Sequence, residues 1–378
     1  MTALPLDTAV RHYSWGSHTV LPALLGRPEP SDRPWAEIWI GAHPDDPSRL
    51  PDGRTLADVV PDLPFLVKLL AAEQPLSIQA HPDRAQATEG FAREEAAGLR
   101  RDDPRRNYRD RNHKPELLVA LGHTEALCGF RPPAEALRLV RLVGSPLLER
   151  LTVPLAHPDE EHALRETVAA VLGLDGVERD RLVSEVAAAC GGHRAEAGSS
   201  DAAALDWVVR LAVSYPGDAG IVAPLLMRLV RLEPGQAVFL ESGVLHAYLR
   251  GVGVEVQASS DNVLRGGLTA KHVDLDELRR VVRYAARTEP RVWPRPVSDG
   301  VEAYDVPVSD FAVWRVEVAG TARPVPAVGP AIVVCVAGQV AVGGVALDPG
   351  RAAFLPAGSG PLVVTGTGTC FVTAPGSH

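Results

Sequence analysis

Cysteine is scarce in this chain: four residues (Cys128, Cys190, Cys335 and Cys370) among 378, with no CxxC pair. That excludes zinc ribbons and thioredoxin-like redox chemistry, and the expectation is four reduced thiols in a cytoplasmic protein. Positive charge is also short. Lys plus Arg total 38 against 47 for Asp plus Glu, a formal net charge of −9. A general nucleic-acid binder needs a basic face, so that class is set aside. No apolar run reaches the ~18 residues of a membrane-spanning helix. Met1 to Asp7 lack the basic stretch and apolar core of a secretory signal. What the chain has in quantity is turn formers, 34 Gly and 33 Pro, beside 46% hydrophobic residues. That mixture predicts many turns in an ordered protein, long enough for two or three cores.

Residues 1–130 read as β structure with turns, the apolar strands being Ile38 to Ile40, Phe65 to Leu70, Leu76 to Ile78 and Leu117 to Leu121. From about Pro133 to Tyr215 the texture becomes helical. Leu137, Val140 and Val143 share a face, as do Leu164, Val168 and Val171, then Leu182, Val186 and Ala189, then Leu205, Val208, Val209 and Ala212. A polar loop is expected at 191–200 and a helix at 219–230. β texture returns from Leu232 to about residue 270, followed by a helix over 274–286 that Asp274 caps. Residues 290–296 read as a Pro-rich linker, and the last eighty as short strands.

One internal repeat organises these pieces. LEPGQAVFLESG at 232–243 and LDPGRAAFLPAG at 347–358 share seven of twelve positions at an offset of 115, and Glu233 matches Asp348 in charge. A Pro-Gly turn feeding a strand that ends in another Gly turn is hairpin grammar for small β-barrels. Two related barrels are therefore expected. The position equivalent to His246 is Pro361, so only the first barrel keeps this histidine. The expected domains are 1–132 with 219–289, a helical insertion at 133–218, and a second barrel at 290–378.

Four segments carry chemistry. In Pro75-Leu-Ser-Ile-Gln-Ala-His-Pro82, Gln79 and His81 are two apart, so on a strand they point to one face. In Arg109-Asp-Arg-Asn-His-Lys-Pro-Glu116, the residues His113, Lys114 and Glu116 border a strand, whereas Arg100 to Arg106 read as a solvated loop. His246 follows a turn and enters a strand. Glu255 and Gln257 alternate with apolar residues. Arg265 lies beside Gly266-Gly267, where the backbone can approach a ligand, and Lys271 follows. Ser259 to Asn262, Asp261 included, read as a solvated turn. Two His, one Glu and one Gln make a four-ligand N/O set that suits Zn²⁺.

Together these segments resemble the class I (zinc-dependent) mannose-6-phosphate isomerase family. The likeness begins at His12-Tyr-Ser-Trp-Gly-Ser17 and Ala36-Glu-Ile-Trp-Ile-Gly-Ala-His-Pro44. It continues through Pro64-Phe-Leu-Val-Lys-Leu-Leu70 and Leu127-Cys-Gly-Phe-Arg-Pro132. Ser14 stands where Ala is common and Ala270 where Pro is common. The chain is compact beside fungal and animal members, which points to a bacterial-type enzyme.

The resemblance implies a mainly β fold of two cupin-type (jelly-roll) barrels plus an inserted helical domain. It implies one Zn²⁺ per chain at Gln79, His81, Glu116 and His246, with Arg265 as the active-site arginine. The implied reaction interconverts D-mannose 6-phosphate and D-fructose 6-phosphate through a cis-enediol. That would supply GDP-mannose synthesis or feed mannose into glycolysis. Lys114, with His113 beside it, and Glu255 are rival proton shuttles. Ser77, Lys68 and Lys271 are further candidates for substrate contacts. The expected partner is a small sugar phosphate, with no nucleic acid or membrane, and the expected state is a monomer in the cytoplasm. The competing readings are a sugar-phosphate-binding cupin without catalysis and a non-haem metal cupin oxygenase, since two His and a carboxylate also suit iron.

Overall fold

Every residue of the strands Phe65–Ala72, Glu116–Ala120 and Thr124–Phe130 is buried. A strand covered on both faces must lie between two packed surfaces, and the computed structural model, which describes residues 3–193, 198–358 and 360–376, supplies them. One eleven-stranded system runs Arg291–Val292, Ala237–Leu240, Glu116–Ala120, His246–Ala258, Phe65–Ala72, Glu37–Ile40, Ala9–Arg11. The nine-stranded one runs Leu4–Leu6, Ala352–Leu355, Ala331–Val342, Leu362–Ala374, Ala312–Ala319, Val301–Tyr304, Arg295–Ser298. The two paths match place by place. The strands Ala237–Leu240 and Ala352–Leu355 of the sequence repeat take the same position in each, at the same offset of 115. The sequence repeat is therefore a repeat of topology.

The long strand His246–Ala258 closes the first barrel by serving both of its sheets. Its beginning pairs with Thr124–Phe130, the register shifts after Tyr248, and its end pairs with Phe65–Ala72 and Glu116–Ala120. The corner is Gly251, at φ +131°, where a Cβ would collide with Thr124. Outward-facing Val67, Leu69, Leu117, Val119, Val254 and Val256 pack against Phe311, Ile332, Val334, Phe354 and Phe371, so the two barrels share one core.

The interiors differ sharply. Lys68 stands opposite Glu255 in the first barrel, whereas Trp314 stands opposite Val372 at the matching place in the second. Glu116 faces Leu240, whereas Ala331 faces Leu355. The second interior is filled by Val, Ala and Cys, including Cys335 directly across the ladder from Cys370. All four cysteines are free and buried.

The insertion holds the helices Pro133–Val143, Pro146–Leu151, Glu160–Leu172, Gly176–Gly192 and Ser200–Ser214. Ser145, Asp159 and Ser199 cap three of them by accepting backbone N–H bonds. Their apolar faces join Ile78, Leu127, Phe130 and Leu245 of the first barrel in one core. Buried Glu125 pins the junction, accepting from Trp207 Nε1, Arg231 and Arg250.

Several expectations are corrected. The first 130 residues also contain the helices Val20–Leu24, Leu56–Val59 and Arg84–Ala96. The last escapes a periodicity search because it buries only Ala87, Gly90 and Glu94. Its start was legible in the Asp83/Gln86 capping box. The helix expected over 219–230 ends at Leu226, and Met227–Leu232 is a strand paired with Thr124–Phe130. The helix expected over 274–286 stops at Val281, though Asp274 does cap it. Strand pairing also crosses the expected domain boundaries. Leu4–Leu6 joins the second barrel, and Arg291–Val292, inside the expected linker, joins the first. Of the loop expected at 191–200, Gly191, Gly192 and Ser200 are helical, and 194–197 lie outside the described residues.

Candidate active site

Three strand ends converge at one mouth of the first barrel. His81 follows the strand Ile78–Ala80, Glu116 opens the strand Glu116–Ala120, and His246 opens His246–Ala258. The Nε2 of His81 lies 3.4 Å from Glu116 Oε1, and that of His246 lies 3.5 Å from Oε2. All three residues are at most 2% exposed. Each histidine donates its Nδ1–H to a backbone carbonyl, His81 to Asn262 (2.7 Å) and His246 to Val244 (2.9 Å). That fixes the tautomer, leaving both Nε2 lone pairs aimed at the carboxylate. Both Nε2 atoms and Glu116 Oε2 are buried without a hydrogen-bond partner.

Three convergent orphan acceptors are unfavourable unless a cation sits among them. The donor set fits a zinc-type ion, whose bonds of about 2.0–2.1 Å in a tetrahedron space ligands about 3.3 Å apart. Burial pushes the His81 imidazole down to about 4, favouring the neutral, ligating form. Burial alone would raise Glu116, but Lys114 and the two histidines outweigh it and hold the carboxyl well below its usual range. Gln79 is the direct ladder neighbour of both His246 and Arg265, so the three share a face. Ser77 lies half-buried just before the same strand.

Lys114 is buried, its ammonium 3.0 Å from Glu116 Oε1. Lys68 and Glu255 are also buried, paired at 3.0 Å, with Glu37 3.6 Å from the same ammonium. Burial works against the Lys68 charge, yet Glu255, Glu37 and Glu116 overcome it and raise its pKa. Burial raises Glu255, with Lys68 opposing. These two expected site residues thus form a buried ion pair. His113 is held away from the cluster, donating Nε2–H to Asp310 of the second barrel at 2.8 Å, with Arg84 alongside.

A second group is cationic. Arg265 is half-buried, and Lys271 is at the surface. Burial and Arg109 depress Arg265, while burial, Arg265 and Arg109 depress Lys271. Among the described residues none of these three cations has a carboxylate partner. Arg109 was not singled out by the sequence reading, because it stands in a basic run whose members look alike. The structure separates them. Arg109 makes no salt bridge among the described residues, although its charge helps keep Asp261 ionised, whereas Arg106, expected to be solvated, is buried against Glu94 and Glu95.

The turn 259–262 is not solvated either. Ser260 and Asn262 are buried, and Asp261 accepts from His43 Nε2 at 3.0 Å. Burial opposes the Asp261 charge, but the His43 bond prevails and lowers its pKa to about 2.

A sequence model of the phosphomannose isomerase type I catalytic domain matches residues 3–62 and 56–133. Mannose-6-phosphate isomerase of Escherichia coli K12 is 37% identical over 392 residues, spanning 96% of this chain and 97% of its own. The chain belongs to the mannose-6-phosphate isomerase family. The human relative is 32% identical, with 84% of this chain and 82% of its own covered.

Solved family structures agree in fold. A zinc-bound holo mannose 6-phosphate isomerase superposes with a TM-score of 0.90 at 34% identity, over 100% of both chains. The Salmonella typhimurium enzyme bound to fructose 6-phosphate and zinc gives the same values. The expected two-barrel cupin architecture with a helical insertion is therefore the family's fold. The family's enzymatic character leaves the oxygenase and non-catalytic alternatives without a supporting observation.

Proposed function

We propose that the protein is a zinc-dependent aldose–ketose isomerase interconverting D-mannose 6-phosphate and D-fructose 6-phosphate through a cis-enediol. The observation that carries this reading is the orphaned His81–Glu116–His246 cluster beside a trio of unpaired cations. His81, Glu116 and His246 would hold one Zn²⁺, with Gln79 as the fourth protein ligand. When bound, zinc polarises the sugar's carbonyl and hydroxyl oxygens and stabilises negative charge developing on them.

The chain's own residues supply the rest. Isomerisation moves one proton between C2 and C1 and one hydroxyl proton between O2 and O1. Lys114, beside the carboxylate of Glu116, is the favoured carrier of the carbon-bound proton: as the neutral amine it would take the proton from one carbon and as the ammonium return it to the other. Glu255 is disfavoured, since Lys68 already occupies it. Arg265, Arg109 and Lys271 form the anion-binding side, where a dianionic phosphate would find the partners these cations lack. Ser77, just before the strand that carries Gln79, is assigned to a substrate contact, whereas His113 is engaged by Asp310. The reading includes a monomer, acting in the cytoplasm on a small soluble substrate. No helix among the described residues is long and apolar enough to cross a membrane.

A coupled assay of fructose 6-phosphate formation, run before and after chelation, tests the reading. Activity lost on chelation and restored by Zn²⁺ is the expected result. An inactive zinc-replete sample overturns it. Light scattering that finds a stable dimer would overturn the monomer assignment.

A further inference from the structure

The loop that delivers Arg109 and Lys114 and the loop that follows the Glu255 strand are joined by one buried side chain. Asn262 is fully buried. Its Oδ1 accepts from the backbone N–H groups of Arg109 (2.7 Å) and Asp110 (3.2 Å). Backbone N–H groups can only donate, so the amide's orientation is decided by chemistry. Its Nδ2 donates to the Asn112 carbonyl (2.8 Å) and to the carbonyl (3.0 Å) and carboxylate (3.2 Å) of Asp110. Ser260 Oγ and the Asp261 N–H complete the clasp from the same turn by donating to the Asp110 carboxylate. The backbone carbonyl of Asn262 is also the acceptor for His81 Nδ1–H.

We infer that Asn262 is a positioning residue that couples the metal ligand His81 to the anion-binding loop. Its carbonyl fixes the ring whose Nε2 ligates, and its side chain fixes the loop that carries Arg109 and leads into Lys114. The amide has no exposed face, so any shift of the 109–112 backbone is passed to the carbonyl that His81 holds. Metal affinity and substrate affinity are thereby set by one element. The substrate half of this inference rests on the isomerase reading; the metal half does not.

The test is Asn262→Ala, with zinc affinity measured by competition with a chromogenic chelator and KM measured for mannose 6-phosphate. Asn262→Ala keeps the backbone carbonyl that His81 holds and releases only the side-chain clasp on the 109–112 loop, so its effect belongs at the low end of the about 10–100-fold that outer partners of metal ligands supply. Zinc affinity should fall about 10-fold and KM should rise together with it. A folded variant with unchanged zinc affinity overturns the inference. If Asn262→Ala does not fold, Ser260→Ala removes only the clasp hydroxyl. Both readouts should then shift in the same direction by a smaller factor, and no change in either overturns the inference. Glu125→Gln loosens a buried polar network elsewhere and should lower the melting temperature while leaving zinc affinity intact. Equal loss of zinc in that variant shows a global effect and overturns the inference. Zinc binding needs no turnover, so an inactive wild type would sink the isomerase reading while leaving this test standing.

Discussion

The ammonium of Lys114 lies 3.0 Å from Glu116, the carboxylate that both His81 and His246 face. A single carboxylate thus faces the two histidines proposed as zinc ligands and the proposed proton carrier. Glu116→Gln keeps the shape and removes the charge. Zinc content by mass spectrometry of the native protein should fall well below one per chain. Turnover should drop by about 10³-fold, the equivalent of the several kcal/mol a catalytic metal supplies.

Lys114 and Glu255 are separable by solvent exchange. Lys114→Ala should retain zinc and lose incorporation of solvent deuterium into the sugar, with a rate deficit of roughly 10²–10⁴-fold. Glu255→Gln should behave as a stability variant. It leaves the buried Lys68 charge with Glu37 alone, 3.6 Å away, and breaking a buried pair costs up to about 3–5 kcal/mol. Denaturant unfolding of Glu255→Gln checks the second half. Normal stability with abolished exchange would reverse the two assignments.

Arg109→Ala should raise KM more than it lowers kcat, because the proposed reading assigns the side chain to the phosphate and not to the carbon centre. A charged hydrogen bond is worth about 1.5–3 kcal/mol, so a KM increase of about 10–100-fold is expected. Inhibition by inorganic phosphate should weaken in parallel, and an unchanged inhibition constant would remove Arg109 from the anion site.

The Asp261–His43 pair predicts acid sensitivity. Asp261 is lowered from 3.8 to about 2 in the folded protein. A depressed folded-state value stabilises the fold above the unfolded pKa, and that contribution is lost as pH falls from about 4 through 2. The pair should add about 2 kcal/mol near neutral pH. In wild type, the unfolding free energy should decline over that window, and in Asp261→Asn the decline should be smaller. Identical pH profiles would sink the assignment.

Local pattern and chain spacing carried a good part of this protein. The Pro-Gly repeat at an offset of 115 announced two related barrels, since a turn and the strand it feeds depend on neighbouring residues alone. The helical insertion showed in the spacing of its apolar faces, and His81, Glu116 and His246 became legible with Gln79 as a ligand set only when the separate segments were taken together. Tertiary structure alone decided matters that depend on which side chains meet. Lys68 and Glu255 are 187 residues apart and pair only because two strands adopt one register. Arg109 and Arg106 look alike in a basic run, and only packing shows that Glu94 and Glu95 take up Arg106 while Arg109 makes no salt bridge among the described residues. The Ser259–Asn262 turn reads as solvated, yet Asn262 is buried because residues 109–112, 150 positions earlier, fold over it. Sequence determines what each segment prefers locally, while long-range burial and charge pairing select which groups remain free to act.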